Sequence, residues 1–273
     1  MTDSHIITTE KLLQDIKPVI DYYKKPEVAG ILLYGSWGRG EQLPHSDVDI
    51  AVICNNKHAV EEIEDTNWEI NDYFVEPTKY DYEYLFTQSL PERMFREFGH
   101  FWTEDTRFNW QQSKILYDQN DIVKQLLAKK AYLPAKEAEA NLNVIIIVIE
   151  RLLNYHLPRY VDAEKYVEAQ ILLNGLVNHV VHYIYNKNGL LLPYSSALFY
   201  WFDKKDLLGK QSVLNLFSNT GLNKDECLQR MKLFWEVCNK LGIKLKIRTQ
   251  KEYLQYFFEL NGTKKWEDYY EKQ

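Results

Sequence analysis

The feature that most restricts how this chain can fold is a glycine-rich turn followed closely by paired aspartates: Leu33-Tyr34-Gly35-Ser36-Trp37-Gly38-Arg39-Gly40, then Ser46-Asp47-Val48-Asp49-Ile50. The apolar run over residues 28–34 reads as a buried strand that ends at the turn. Gly35 lets the backbone turn where a Cβ would clash. Ser36 offers a hydroxyl and an amide to an anion at the start of a short helix within the loop 35–46, where unpaired N–H groups gather. Gly38 and Gly40 allow a phosphate to approach closely, and Arg39 and Ser46 are further candidates to touch it. Asp47 and Asp49 open the next apolar strand, residues 48–54. At a spacing of two, both carboxylates leave the same face. Such a pair repels itself unless a cation lies between, and Mg²⁺ takes carboxylate and phosphate oxygens together. Two such ions can hold the attacking and leaving oxygens of a phosphoryl displacement. The pattern therefore reads as a site for a nucleoside triphosphate and Mg²⁺, with Asp47 and Asp49 as metal ligands.

Around that motif the first half alternates helix and strand. Apolar spacing predicts a helix over residues 8–23, an acidic amphipathic helix over 58–75 ended by Pro77, an aromatic strand over 79–86, a helix over 89–98 and a short strand over 114–117. From residue 121 onward helical periodicity dominates, with helices expected over 121–130, 135–155, 162–186, 195–201 and 224–241. Breaks are expected at Pro134, Pro158, Asn188-Gly189, Pro193 and Gly221. The expected fold class is an α/β (α+β) domain with a small mixed sheet over residues 1–120, followed by an all-α helical bundle over residues 121–273.

The combination Gly35-Ser36, a helix-forming spacer and Asp47-Val48-Asp49 resembles the signature of the DNA polymerase β-like nucleotidyltransferase superfamily. The resemblance implies a third carboxylate from a later strand. Asp81, in Lys79-Tyr80-Asp81-Tyr82-Glu83-Tyr84, is the expected residue, with Asp72, Glu76 and Glu83 as competitors. Within the superfamily the chain is most similar to the small-molecule antibiotic adenylyltransferases of the kanamycin type: its length, a motif reached after a single helix, and a helical second half all match. That narrower resemblance implies transfer of AMP from ATP, with Mg²⁺, to a hydroxyl of a small aminoglycoside-like acceptor, with pyrophosphate released. It also implies a homodimer and a general base on the helical half. Glu150, in Ile149-Glu150-Arg151-Leu152-Leu153-Asn154-Tyr155, is the expected base, with Asn154 one turn away. Adenylylation of a protein partner in a toxin–antitoxin type system, and a non-catalytic nucleotide-binding regulator, are the competing functions.

Charge and cysteine usage narrow the classes further. Lys and Arg number 33 against 39 Asp and Glu, a formal net charge of −6. An acidic surface repels a phosphate backbone, so nucleic acid is not an expected partner; a cationic small molecule is attracted instead. The cysteines Cys54, Cys227 and Cys238 are odd in number and show no metal-ligand spacing, as expected of reduced thiols in a cytoplasmic protein. The most apolar run, residues 144–149, is too short to span a bilayer, so no membrane partner is expected. His179 and His182, three apart on a predicted helix, read as core histidines rather than metal ligands.

Overall fold

The computed structural model describes residues 8–64, 66–71, 73–90, 101–193, 198–249, 251–253 and 255. Among them the chain forms two compact units, the first ending at Tyr132 and the second running on from Leu133. In the first, helices α1 (Thr9–Asp15) and α2 (Lys17–Tyr23) replace the single helix expected over 8–23. Pro18 lies in the first turn of α2, and having no N–H to donate it breaks the ladder at Ile16. There follow β1 (Val28–Leu33), α3 (Gly35–Arg39), β2 (Val48–Cys54), α4 (Lys57–Glu62), β3 (Trp68–Ile70), β4 (Tyr73–Asp81), α5 (Tyr82–Thr87), α6 (Glu104–Gln111), β5 (Lys114–Asp118) and α7 (Ile122–Lys130).

The strands form one mixed sheet in the order β3-β4-β2-β1-β5. β2 and β4 run parallel, and the other neighbours are antiparallel. Alternation along β2 divides the core. Val48, Ile50, Val52 and Cys54 pack with Leu12, Ile16, Val19 and Tyr23 of α1 and α2 on one face. Ala51 and Ile53 pack with Leu85, Trp102, Trp110, Val123 and Leu126 on the other. α7 therefore belongs to the first unit, beyond the break expected after residue 120: Val123 and Leu126 are fully buried against the sheet. Asp118 fixes its start by accepting from the amides of Val123 (2.9 Å) and Lys124 (3.0 Å).

The expected helix over 58–75 is corrected. It stops at Glu62, where the Lys79 ammonium donates to the carbonyls of Val60 (2.7 Å) and Ile63. Residues 68–75 instead form a hairpin: Ile70 pairs with Tyr73, and Asn71 opens the two-residue link at φ 47°. The third strand is accordingly Tyr73–Asp81 rather than 79–86. Pro77 sits past the end of the β3 pairing, where one side of β4 is an edge and a missing donor is tolerated. The helix expected over 89–98 falls largely outside the described residues.

The second unit is all helical: α8 (Ala135–Arg151), a π-helical turn (Leu152–His156), α9 (Leu157–Asp162), α10 (Tyr166–Lys187), α11 (Leu198–Lys204), α12 (Lys210–Asn215) and α13 (Lys224–Lys240). Pro158 has no N–H for the Asn154 carbonyl and would crowd it in an α-helix; the widened π turn comes just before. On α10, His182 is buried, and burial pushes the His179 imidazole down to about 4, as suits core histidines. Among the described residues no helix is long and apolar enough to cross a membrane.

Arg230 of α13 is fully buried and held by three neutral acceptors: Leu216 O (2.7 Å), Gln170 Oε1 (2.7 Å) and Asn174 Oδ1 (2.6 Å). Gln170 in turn donates to the carbonyls of Asn219 and Gly221, so one network ties α10, α13 and the loop after α12. Replacing Arg230 by Met leaves the acceptors on buried Leu216 and Gln170 without this donor. We expect Arg230→Met to lose about 2–4 kcal/mol of stability in urea unfolding. A loss below about 0.5 kcal/mol would show that the network does not hold the loop.

Candidate active site

β1 ends against the start of β2: Tyr34 donates its amide to the Asp49 carbonyl at 3.1 Å. The chain then turns through Gly35 at φ +62°, a left-handed conformation that favours glycine. Space imposes a second requirement, because a Cβ on Gly35 would lie 1.8 Å from Asp49 Oδ2. The glycine is thus the floor on which an aspartate side chain rests. α3 follows at once, with half-buried Ser36 as its second residue and Gly40 closing it in the left-handed conformation. Trp37 is buried and donates its indole N–H to the Ser46 carbonyl (3.2 Å), which pins the end of the loop back onto α3. Ser46 is occupied locally: its hydroxyl accepts from the Leu43 amide at 2.9 Å.

Asp47 and Asp49 do share a face, and Glu76 joins them. Each of the three offers a carboxylate oxygen, and these oxygens lie within 4.8 Å of one another. Strand pairing explains the third member: in the parallel register Asp49 is opposite Glu76, whereas Asp81 is opposite Cys54 at the far end of β4. The structure therefore brings Glu76, and not the expected Asp81, beside Asp47 and Asp49. The Asp81 carboxylate instead caps α5 by accepting from the Glu83 amide at 2.9 Å. Of the other competitors, Glu83 lies in α5 and Asp72 is outside the described residues. The sequence did carry a signal for Glu76. Tyr73 and Val75 alternate inward after an Asn-Asp pair, a hairpin followed by a strand, and that places Glu76 on the opposite face.

Burial, then the charges of Asp47 and Glu76, push Asp49 up to about 6, with Arg39 pulling the other way. Arg39 is itself held by Glu41 (2.8 Å) and by Asn109. A set of three crowded carboxylates fits a hard divalent cation by the chemistry of its donors: oxygen ligands whose mutual repulsion a cation relieves.

Glu150, the expected base, lies in the second unit near the end of α8 and is fully buried. Both its oxygens are engaged there, Oε1 by the Lys246 amide (2.6 Å) and Oε2 by Arg248 Nε (2.8 Å). Asn154 donates to the Lys246 carbonyl at 3.0 Å. Both residues fasten the segment that follows α13 to α8 and its π turn.

Residues 14–94 match the family described as Polymerase beta, Nucleotidyltransferase. The matched span contains the turn, Asp47, Asp49 and Glu76, so the first unit is a nucleotidyltransferase-type domain. The chain is also similar to a nucleotidyltransferase-like protein from Exiguobacterium sibiricum 255-15, at 14% identity, over 91% of this chain and 80% of that one, with a TM-score of 0.47. No curated protein matches the chain.

Two outcomes follow for the metal-free protein. A proton on Asp49 is held more tightly in the folded chain than in the unfolded one. Its contribution to stability is complete below about pH 4 and is lost as the pH rises through about 6. Mg²⁺ or Mn²⁺ relieves the repulsion that replaces the proton, so in scanning fluorimetry it should raise Tm more at pH 7.5 than at pH 5; equal shifts would disprove a carboxylate cation site. Gly35→Ala should leave the protein folded while lowering Mn²⁺ affinity at least roughly tenfold, because its Cβ displaces Asp49. Unchanged affinity would mean that Gly35 does not position that ligand.

Proposed function

We propose that the chain transfers a nucleoside monophosphate, AMP in our reading, from ATP to a hydroxyl of a small molecule and releases pyrophosphate. The observation that carries this is the convergence of Asp47, Asp49 and Glu76 against the Gly35-Ser36 turn. Three carboxylates gathered beside a glycine turn have an evident use in holding divalent cations against a polyphosphate, and the match of residues 14–94 supports the same chemistry. When bound, Mg²⁺ neutralises charge on the triphosphate and polarises the α-phosphoryl group.

The chain's own residues then have separable tasks. Asp47, Asp49 and Glu76 hold two cations, with Glu76 in the part that the sequence suggested for Asp81. Gly35 and Ser36 cradle the triphosphate tail with backbone N–H groups and the Ser36 hydroxyl, and Arg39 adds positive charge beside it. The acceptor oxygen bonds to the α-phosphorus as the bond from that phosphorus to the pyrophosphate oxygen breaks, and the hydroxyl proton leaves to solvent or a base. Glu150 has no part in this reading, since it would first have to release Lys246 and Arg248.

For the acceptor we favour a polycationic, polyhydroxylated molecule of the aminoglycoside class. The net charge of −6 supports that choice, as it favours cationic partners over nucleic acid. The test mixes the protein with Mg²⁺, α-labelled ATP and a panel of aminoglycosides, following label transfer and pyrophosphate release. Transfer is expected with at least one member. Asp49→Asn and Glu76→Gln should each lower it on the order of 10³-fold, while Asp81→Asn stays near wild type. Pyrophosphate release without labelling of any member would remove the aminoglycoside reading. Asp81→Asn falling as far as Glu76→Gln would overturn the assignment of the third carboxylate.

A further inference from the structure

Asn109 lies on α6, outside residues 14–94, and is 6% exposed. Its side-chain oxygen accepts from Arg39 Nη1, while Glu41 Oε2 accepts from Arg39 Nε at 2.8 Å. The side chains of Arg39 and Glu41 are about nine-tenths buried. A guanidinium is planar, so acceptors at Nε and at one terminal nitrogen fix both its position and the direction its plane faces. Arg39 closes the five-residue helix that begins at Gly35, and Gly35 abuts Asp49. At 1.5 Å per residue the backbone of Arg39 therefore lies about 6 Å along the helix axis from that of Gly35.

The chemistry of the second acceptor is informative. One carboxylate, Glu41, already pairs with Arg39. A second would add negative charge to a region that holds three acids, whereas a neutral amide orients the guanidinium and leaves its field intact. We propose that Asn109, acting with Glu41, is a positioning residue that holds Arg39 as the resident cation of the site, balancing part of the carboxylate charge before a metal arrives and facing the triphosphate once it has. This rests on the nucleotidyl-transfer reading of the same site.

A resident cation has a signature that a structural strut lacks, because it acts with opposite sign on metal and on phosphate. The experiment is calorimetry on the full chain with two probes, Mn²⁺ alone and then inorganic triphosphate added to the Mn²⁺-loaded protein. Arg39→Gln should bind Mn²⁺ as tightly as wild type or more tightly, and triphosphate roughly ten- to a hundredfold more weakly. Asn109→Asp keeps an acceptor but adds a charge, so it should show the same pair of signs. Arg39→Lys keeps the charge but cannot satisfy both acceptors in the same plane, and should fall between wild type and Arg39→Gln for triphosphate. Variants that lose affinity for both probes together with Tm would show a purely structural role and overturn the proposal, as would variants that bind both probes like wild type. Wild-type protein that binds neither probe would instead overturn the reading of the site on which this one rests.

Discussion

Mutual repulsion among Asp47, Asp49 and Glu76 is the constraint around which the first unit is arranged. Crowded like charges at a partly buried place disfavour ionisation, and in the metal-free chain burial first, then the charges of Asp47 and Glu76, push Asp49 up to about 6. The cluster survives because it is placed where the core can bear it. β2 is buried on both faces from Ile50 to Cys54, and the acids lie at its beginning, with Glu76 one strand away in register. The apolar layers on either side supply the stability that the acid edge spends, which is the usual relation between a scaffold and a strained functional site.

What the sequence disclosed and what it hid divide along one physical line. Gly35, Ser36, Asp47 and Asp49 were legible because their relation is local: a turn, a short helix and a period of two along one strand need only neighbouring residues. Glu76 was harder because its place in the site depends on which residue of β4 faces Asp49 across a parallel pairing, and no local pattern states that register. The expectation at Asp81 depends on taking residues 58–75 as one helix, which shifts the expected strand toward the C-terminus and away from Glu76. Trp68, Ile70, Tyr73 and Val75 fit helical spacing loosely. The Asn71 turn between them was the sign of a hairpin.

Glu150 shows a different limit. An acid beside an apolar helical run is a fair candidate for a base until its partners are known, and those partners, Lys246 and Arg248, come from a segment with no motif of its own. Periodicity found most of the helices of the second unit but passed over the short α9 and α12, and it began α10 at Asp162 rather than at Tyr166. Gln170, Asn174 and Arg230 carry no sequence signature either; only the fold brings them into one network.

Arg39 and Asn109 extend the argument from acids to their compensation. A site built to bind a cation must not be so negative that it binds nothing else, since its second ligand is itself an anion. One fixed guanidinium answers both demands only if its charge is not spent on its supports. Glu41 takes part of that charge, and the amide of Asn109 takes none while completing the orientation. The loop that carries Gly35 and Ser36 thus brings its own cation, and α6, outside the matched span, supplies the contact that aims it.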